Sequence, residues 1–103
     1  MNHSEEHHPN PKMVPRTEEE IANIVKRLKR IEGQVRGVQK MVEDNRYCID
    51  ILIQISAIEA ALHKVGLHLL ERHVRHCVAK AIREGSGDES IQELMTVINQ
   101  FSK

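Results

Sequence analysis

Three side chains have the types and spacing to hold a metal ion: Cys48, His73 and Cys77. His73 and Cys77 stand at i and i+4, which on a helix puts an imidazole and a thiol on one face, close enough to share an ion. Cys48 precedes Cys77 by 29 positions, about 43 Å along a continuous helix at 1.5 Å per residue. The two sulfurs cannot meet within one straight helix. An antiparallel copy of that helix, related by a two-fold axis near its middle, would lay Cys48 of one chain beside His73 and Cys77 of the other, twice over. Two thiolates and one imidazole form a soft three-ligand set that favours Cu(I), whereas Zn(II) wants a fourth ligand and Ni(II) a square-planar set richer in nitrogen. The plain alternative is that the cysteines are small buried hydrophobes, with His63, His68, His76 and the histidines near the N-terminus solvated or packed.

A second group of residues carries charge. Lys26, Arg27, Lys29, Arg30, Arg36 and Lys40 crowd one stretch, and phosphate neutralisation by such side chains supplies most non-specific DNA affinity. One such face is modest, but a symmetric oligomer would combine several. No helix-turn-helix, zinc-finger or ribbon pattern accompanies it, so recognition would rest on backbone contacts and DNA shape. No Gly-rich phosphate loop, nucleophile elbow or paired carboxylates in a recognisable cleft point to an enzyme.

The elements that must position these groups can be read from periodicity. The chain has 103 residues, 40% of them apolar and only 2% aromatic, so one domain must build its core from Ile, Leu, Val and Ala. The formal net charge is zero, yet residues 26–83 hold 12 basic and 6 acidic side chains, with acids gathered at Glu18–Glu20 and at Glu84, Asp88, Glu89 and Glu93. Residues 1–16, with His3, His7, His8 and three prolines, read as a flexible tail ahead of a single domain over 17–103. Thr17-Glu18-Glu19-Glu20 is a capping box, so helix 1 begins there. Ile21, Ile24, Leu28, Ile31, Val35, Val38 and Val42 follow at heptad spacing, and Gly33 and Gly37 suggest close packing against another backbone. After a polar break at Asp44-Asn45-Arg46, helix 2 runs from Tyr47 to Glu84, with Gly85 as its C-terminal stop. Along it Ile49, Leu52, Ile53, Ser56, Ala57, Ala60, Lys64 and Leu67 form a broad stripe whose small residues permit close helix approach. Ile91, Leu94, Met95, Ile98 and Phe101 mark a short third helix. The fold expected is all-α, with two long helices and one short. The absence of a secretory leader, a bilayer-length apolar run and a disulfide framework leads to the expectation of a cytoplasmic protein with reduced thiols.

Taken together, Arg27-Leu28-Lys29-Arg30-Ile31-Glu32-Gly33-Gln34-Val35-Arg36-Gly37, then Tyr47-Cys48-Ile49-Asp50-Ile51-Leu52-Ile53-Gln54-Ile55-Ser56-Ala57, then His73-x-x-x-Cys77 closely resemble the copper-sensing operon repressors of the CsoR family, over about residues 17–101. The resemblance implies a helical repressor of copper-efflux genes that forms an antiparallel dimer and then a dimer of dimers. It would bind operator DNA without metal and release it on binding Cu(I) through Cys48 of one subunit and His73 and Cys77 of the other. It further implies that Tyr47 and Glu93 couple copper to DNA release, and that operator contacts fall on Arg27 with its basic neighbours Lys29, Arg30 and Arg36, and on Lys64. Nickel or cobalt sensors of the same superfamily carry histidine where Cys77 stands and recruit an N-terminal histidine, for which His3 is a candidate. Persulfide sensors keep both cysteines without the histidine. From another class, a cytosolic copper buffer or chaperone would use the same ligands with no DNA role.

Overall fold

The computed structural model describes residues 13–101, in which every regular element is a helix: α1 (Glu18–Glu43), α2 (Cys48–Arg72), a π-helical segment (His73–Val78), α3 (Ala79–Arg83) and α4 (Gly87–Phe101). The start of α1 is the capping box expected from sequence. The Glu20 N–H donates to Thr17 Oγ1 at 3.1 Å and the Thr17 N–H donates to Glu20 Oε1 at 2.8 Å. Three glutamates in the first turn complement the helix dipole.

Both helix ends that the sequence punctuates close in the same way. Arg46 N–H reaches Met41 O and Asn45 N–H reaches Val42 O, while Ser86 N–H reaches Ala81 O and Gly85 N–H reaches Ile82 O. Each is a Schellman closure around one residue of positive φ. That residue is Asn45 (55°) in the first case and Gly85 (87°) in the second, the residue types that tolerate the left-handed region.

Helix 2 of the sequence reading is therefore a single run from Cys48 to Arg83, with a π segment set inside it. Arg72 and Ala79, which flank that segment, keep right-handed helical dihedrals, so the turn widens locally without breaking the rod. The sequence reading, one continuous α-helix, did not foresee this segment. The short third helix starts four residues before its first apolar position, at Gly87.

By contacts the described chain divides into two units, residues 16–69 and residues 13–15 with 70–101. In the first, Ile31 of α1 packs with Ile58 and Val65 of α2, flanked by Ile24, Val38, Ala61 and Leu69. The heptad seam of α1 thus splits. Ile24, Ile31 and Val38 serve this core, while Ile21, Leu28, Val35 and Val42 stay exposed. The broad α2 stripe read from sequence is not the face that packs on α1: Ile49, Leu52, Ile53 and Leu67 are exposed, and the core is formed by Ile58, Ala61, Val65 and Leu69. α2 is apolar on more than one face, so periodicity could not say which face the chain itself would cover. Within the chain itself, close packing does not explain the glycines of α1. A Cβ at Gly37 would meet nothing within 4 Å among the described residues, and one at Gly33 would touch only the Arg36 side chain at 3.6 Å.

In the second unit Cys77, Val78, Ala81 and Ser90 are buried. At Gly87 the start of α4 sits against α3 so tightly that a Cβ would lie 2.8 Å from Ile82 Cγ1. No large side chain among the described residues is fully enclosed. So much exposed aliphatic surface on so short a chain is the signature of faces made for other chains.

Candidate metal centre and nucleic-acid interface

His73 and Cys77 both lie on the π segment, His73 as its first residue. Single π turns inside α-helices concentrate at functional sites, because the extra residue re-aims side chains that a regular helix would fix. Cys77 is 4% exposed. His73 is half-buried, and Cys48, as the first residue of α2, is exposed. The two cysteines are both free thiols, and the described residues of one chain contain no cluster of three potential ligands.

Cys77 has a partner that the sequence did not suggest. The Val14 N–H donates to its Sγ at 3.3 Å, and Arg72 secures the same segment, donating to Val14 O at 2.9 Å and to Pro15 O at 3.0 Å. A hydrogen bond to a thiol sulfur helps fix its orientation. Val14 and Pro15 belong to the stretch read as a flexible tail, and here they are held. No local pattern marks Arg72 as their anchor, since the contact spans 58 residues of sequence. Tyr47 is exposed at the head of α2. Glu93 is exposed on α4, and no hydrogen bond or ion pair joins it to His73 among the described residues. His3 lies outside the described residues.

The basic residues sort themselves spatially. Arg27, Arg30 and Gln34 of α1 and Lys64 of α2 line one open groove whose apolar surface is Ile31, Ala57, Ala60, Ala61 and Val65. Three of the five residues expected at a DNA surface are thus brought together from two helices. Gln34 joins them unforeseen, although its spacing of four from Arg30 and seven from Arg27 places it on the same helix face. Lys29 and Arg36 do not line the groove, and Arg36 instead pairs with Glu32 at 3.9 Å on the helix surface. The alanines explain the groove: side chains this small leave room between Arg27 and Arg30 on one helix and Lys64 on the other.

The chain is similar to known proteins over most of its length. Residues 20–100 match the family model described as metal-sensitive transcriptional repressor. The copper-sensing transcriptional repressor CsoR of Bacillus subtilis is 52% identical over 96% of this chain and 98% of its own length. The copper-sensing repressor RicR of Mycobacterium tuberculosis is 56% identical over 61% of this chain and 66% of its own. Among solved structures, CsoR with Cu(I) from Geobacillus thermodenitrificans superposes with a TM-score of 0.86 at 79% identity, covering 88% of this chain and 95% of that one. The nickel-responsive regulator InrS gives 0.69 at 35% identity, covering 86% and 97%. No helix among the described residues is long and apolar enough to cross a membrane. With its helical fold, its paired thiol and imidazole on a π turn and its basic groove, the chain belongs to the CsoR family of metal-sensitive transcriptional repressors.

Proposed function

We propose that this protein is a cytoplasmic Cu(I)-responsive repressor that binds operator DNA in its metal-free form and releases it when Cu(I) binds, derepressing copper-efflux genes. The observation that carries the reading is the pairing of His73 with buried Cys77 on one π turn, on a helical run that begins with a second thiol, Cys48. Cys48 of one subunit with His73 and Cys77 of its partner in an antiparallel dimer would hold the ion. Two thiols and one imidazole fit Cu(I), and Cu(I) supplies no redox step here, only three bonds that tie one chain to the other. Relatives named as copper sensors support the choice of metal.

DNA release follows from the same arrangement. The groove of Arg27, Arg30, Gln34 and Lys64 is a surface for phosphates, and in a dimer of dimers several copies would engage the duplex together. Tying Cys48 to a second chain fixes where that chain's helical run lies, which changes the spacing between grooves. Tyr47 and Glu93 would transmit the change, Tyr47 as the neighbour of a ligand and Glu93 from the helix packed beside the π segment. By linkage, the factor by which copper weakens DNA binding equals the factor by which DNA weakens copper binding.

The test is a Cu(I) titration of the full-length protein on labelled operator duplex, with Ni(II), Zn(II) and persulfide as competitors. Release at one Cu(I) per subunit is expected. Release by Ni(II) in preference would favour the nickel reading, for which InrS is the structural precedent. Tight Cu(I) binding with only weak, sequence-blind DNA binding would identify a buffer or chaperone.

A further inference from the structure

Four polar side chains line the open groove between α1 and α2: Arg27, Arg30 and Gln34 from one helix and Lys64 from the other. All four are exposed, and none makes a hydrogen bond or ion pair among the described residues. Arg36 and Lys40 differ, being engaged by Glu32 and Asp44 along α1. The polar groups of the groove thus keep their full hydrogen-bonding capacity for a partner from outside the chain. Three of them are cations suited to phosphates, which are alike at every base step and carry no sequence information directly. Gln34 is different in kind. Its carboxamide is neutral, so it displaces no counterion from a phosphate, and it offers an acceptor oxygen beside an amino group that donates. That combination matches the amino donor and the ring-nitrogen acceptor that adenine shows in the major groove.

The helix surface beside Gln34 is bare. Gly33 precedes it and Gly37 follows one turn later. A Cβ at Gly37 would meet nothing within 4 Å among the described residues, and one at Gly33 only the Arg36 side chain. Glycine inside a helix is disfavoured relative to alanine, and close approach of the backbone to a ligand is a setting that compensates. With no side chain at either position to hold a duplex away, a glutamine reaches past the phosphates to a base edge.

We infer that Gln34 reads a base: with Arg27, Arg30 and Lys64 on phosphates, its amide makes a bidentate contact with an adenine in the major groove. The inference rests on the proposed role of the groove in operator binding and adds to it. Cations hold the duplex in register, and one neutral amide per chain selects an A·T pair. In a two-fold symmetric oligomer the selected pairs recur at symmetric positions of the operator. Recognition by backbone contacts and DNA shape, expected from the sequence, thereby gains a direct reader.

Binding of the metal-free, full-length protein to a pool of randomised duplexes, with sequencing of the bound fraction, defines the preferred site. Gln34→Ala is expected to enrich the same site with one A·T pair in each half no longer specified. Replacing that adenine by a deaza analogue, in which C–H stands for the ring-nitrogen acceptor, should weaken wild-type binding about tenfold and Gln34→Ala binding hardly at all. The two proteins should bind a random-sequence duplex equally and with the same salt slope. Identical enriched sites, or the same deaza loss in both proteins, would overturn the inference. Lys64→Ala separates it from the reading on which it rests. If Lys64→Ala weakens binding to every duplex while Gln34→Ala leaves the site unchanged, the groove holds DNA and the base contact is excluded. If neither variant alters binding, the groove does not meet DNA and both readings fall.

Discussion

The backbone N–H of Val14 donates to the sulfur of Cys77 at 3.3 Å, across 63 residues of sequence. Arg72, one turn before that cysteine, grips both Val14 and Pro15 through their carbonyls. The segment ahead of α1 is therefore fastened by three hydrogen bonds, one to Cys77 on the π turn and two from the guanidinium of Arg72 at the end of α2.

This fastening should govern access to Cys77. Arg72→Ala is expected to speed alkylation of the metal-free Cys77 thiol on the order of tenfold, since its two partly exposed hydrogen bonds, at about 0.5–1 kcal/mol each, together approach the roughly 1.4 kcal/mol of a tenfold change. Exposed Cys48 serves as the internal reference. Val14→Pro, which removes only the donor to sulfur, should give a smaller acceleration. Mass spectrometry of timed labelling reads both, and an unchanged Cys77 rate in Arg72→Ala would show that the segment does not guard the thiol.

A ligand set shared between chains has a signature that no single-chain site can imitate. Cys48→Ser and Cys77→Ser proteins should each lose tight Cu(I) binding. Mixed and allowed to reassort, they should regain roughly a quarter of the wild-type stoichiometry, because only heterodimers contain one intact site of two. Bicinchoninate competition on the mixture measures this, and no recovery would exclude bridging ligation.

The groove makes a graded forecast for DNA. Arg27→Ala and Lys64→Ala should weaken operator binding at every sequence tested and lower the salt slope by about one for each phosphate left without its cation. Arg36→Ala, already engaged by Glu32, should do less. Fluorescence anisotropy across a salt series separates these outcomes.

Gly87→Ala should destabilise the fold by about 1–3 kcal/mol through overpacking. Its Cβ would sit 2.8 Å from Ile82 Cγ1 and 3.1 Å from Ile82 Cα, and the backbone atom cannot move aside cheaply. Gly37→Ala, whose Cβ would meet open space, should instead gain up to about 1 kcal/mol of helix propensity in the isolated chain. Thermal unfolding of both variants provides the contrast, and a loss of stability at Gly37 would reveal a neighbour from another chain.

Much of this protein is legible from local chemistry. Thr17 with Glu20 announces the start of α1, and Gly85 announces the end of the long helical run. The His73 and Cys77 spacing picks out the imidazole and thiol proposed as metal ligands. Each signal is confined to a few residues whose preferences act over one helical turn. Less legible is the allocation of apolar faces. Ile31 and Leu28 look alike in the heptad, yet one is buried within the chain and the other is exposed, because the choice depends on where α2 lies.

The residue order by itself determined three helical rods, their caps, and a soft donor set too widely spaced to close within one helix. The tertiary structure alone decided that the turn carrying His73 and Cys77 is a π turn, and that Val14 and Arg72 attend the buried sulfur. It also decided that Arg27, Arg30 and Lys64 share one groove while Lys29 and Arg36 do not line it. The physical reason is range: capping and helical periodicity act over one or two turns, whereas these arrangements join residues tens of positions apart, through contacts that exist only once the chain has folded.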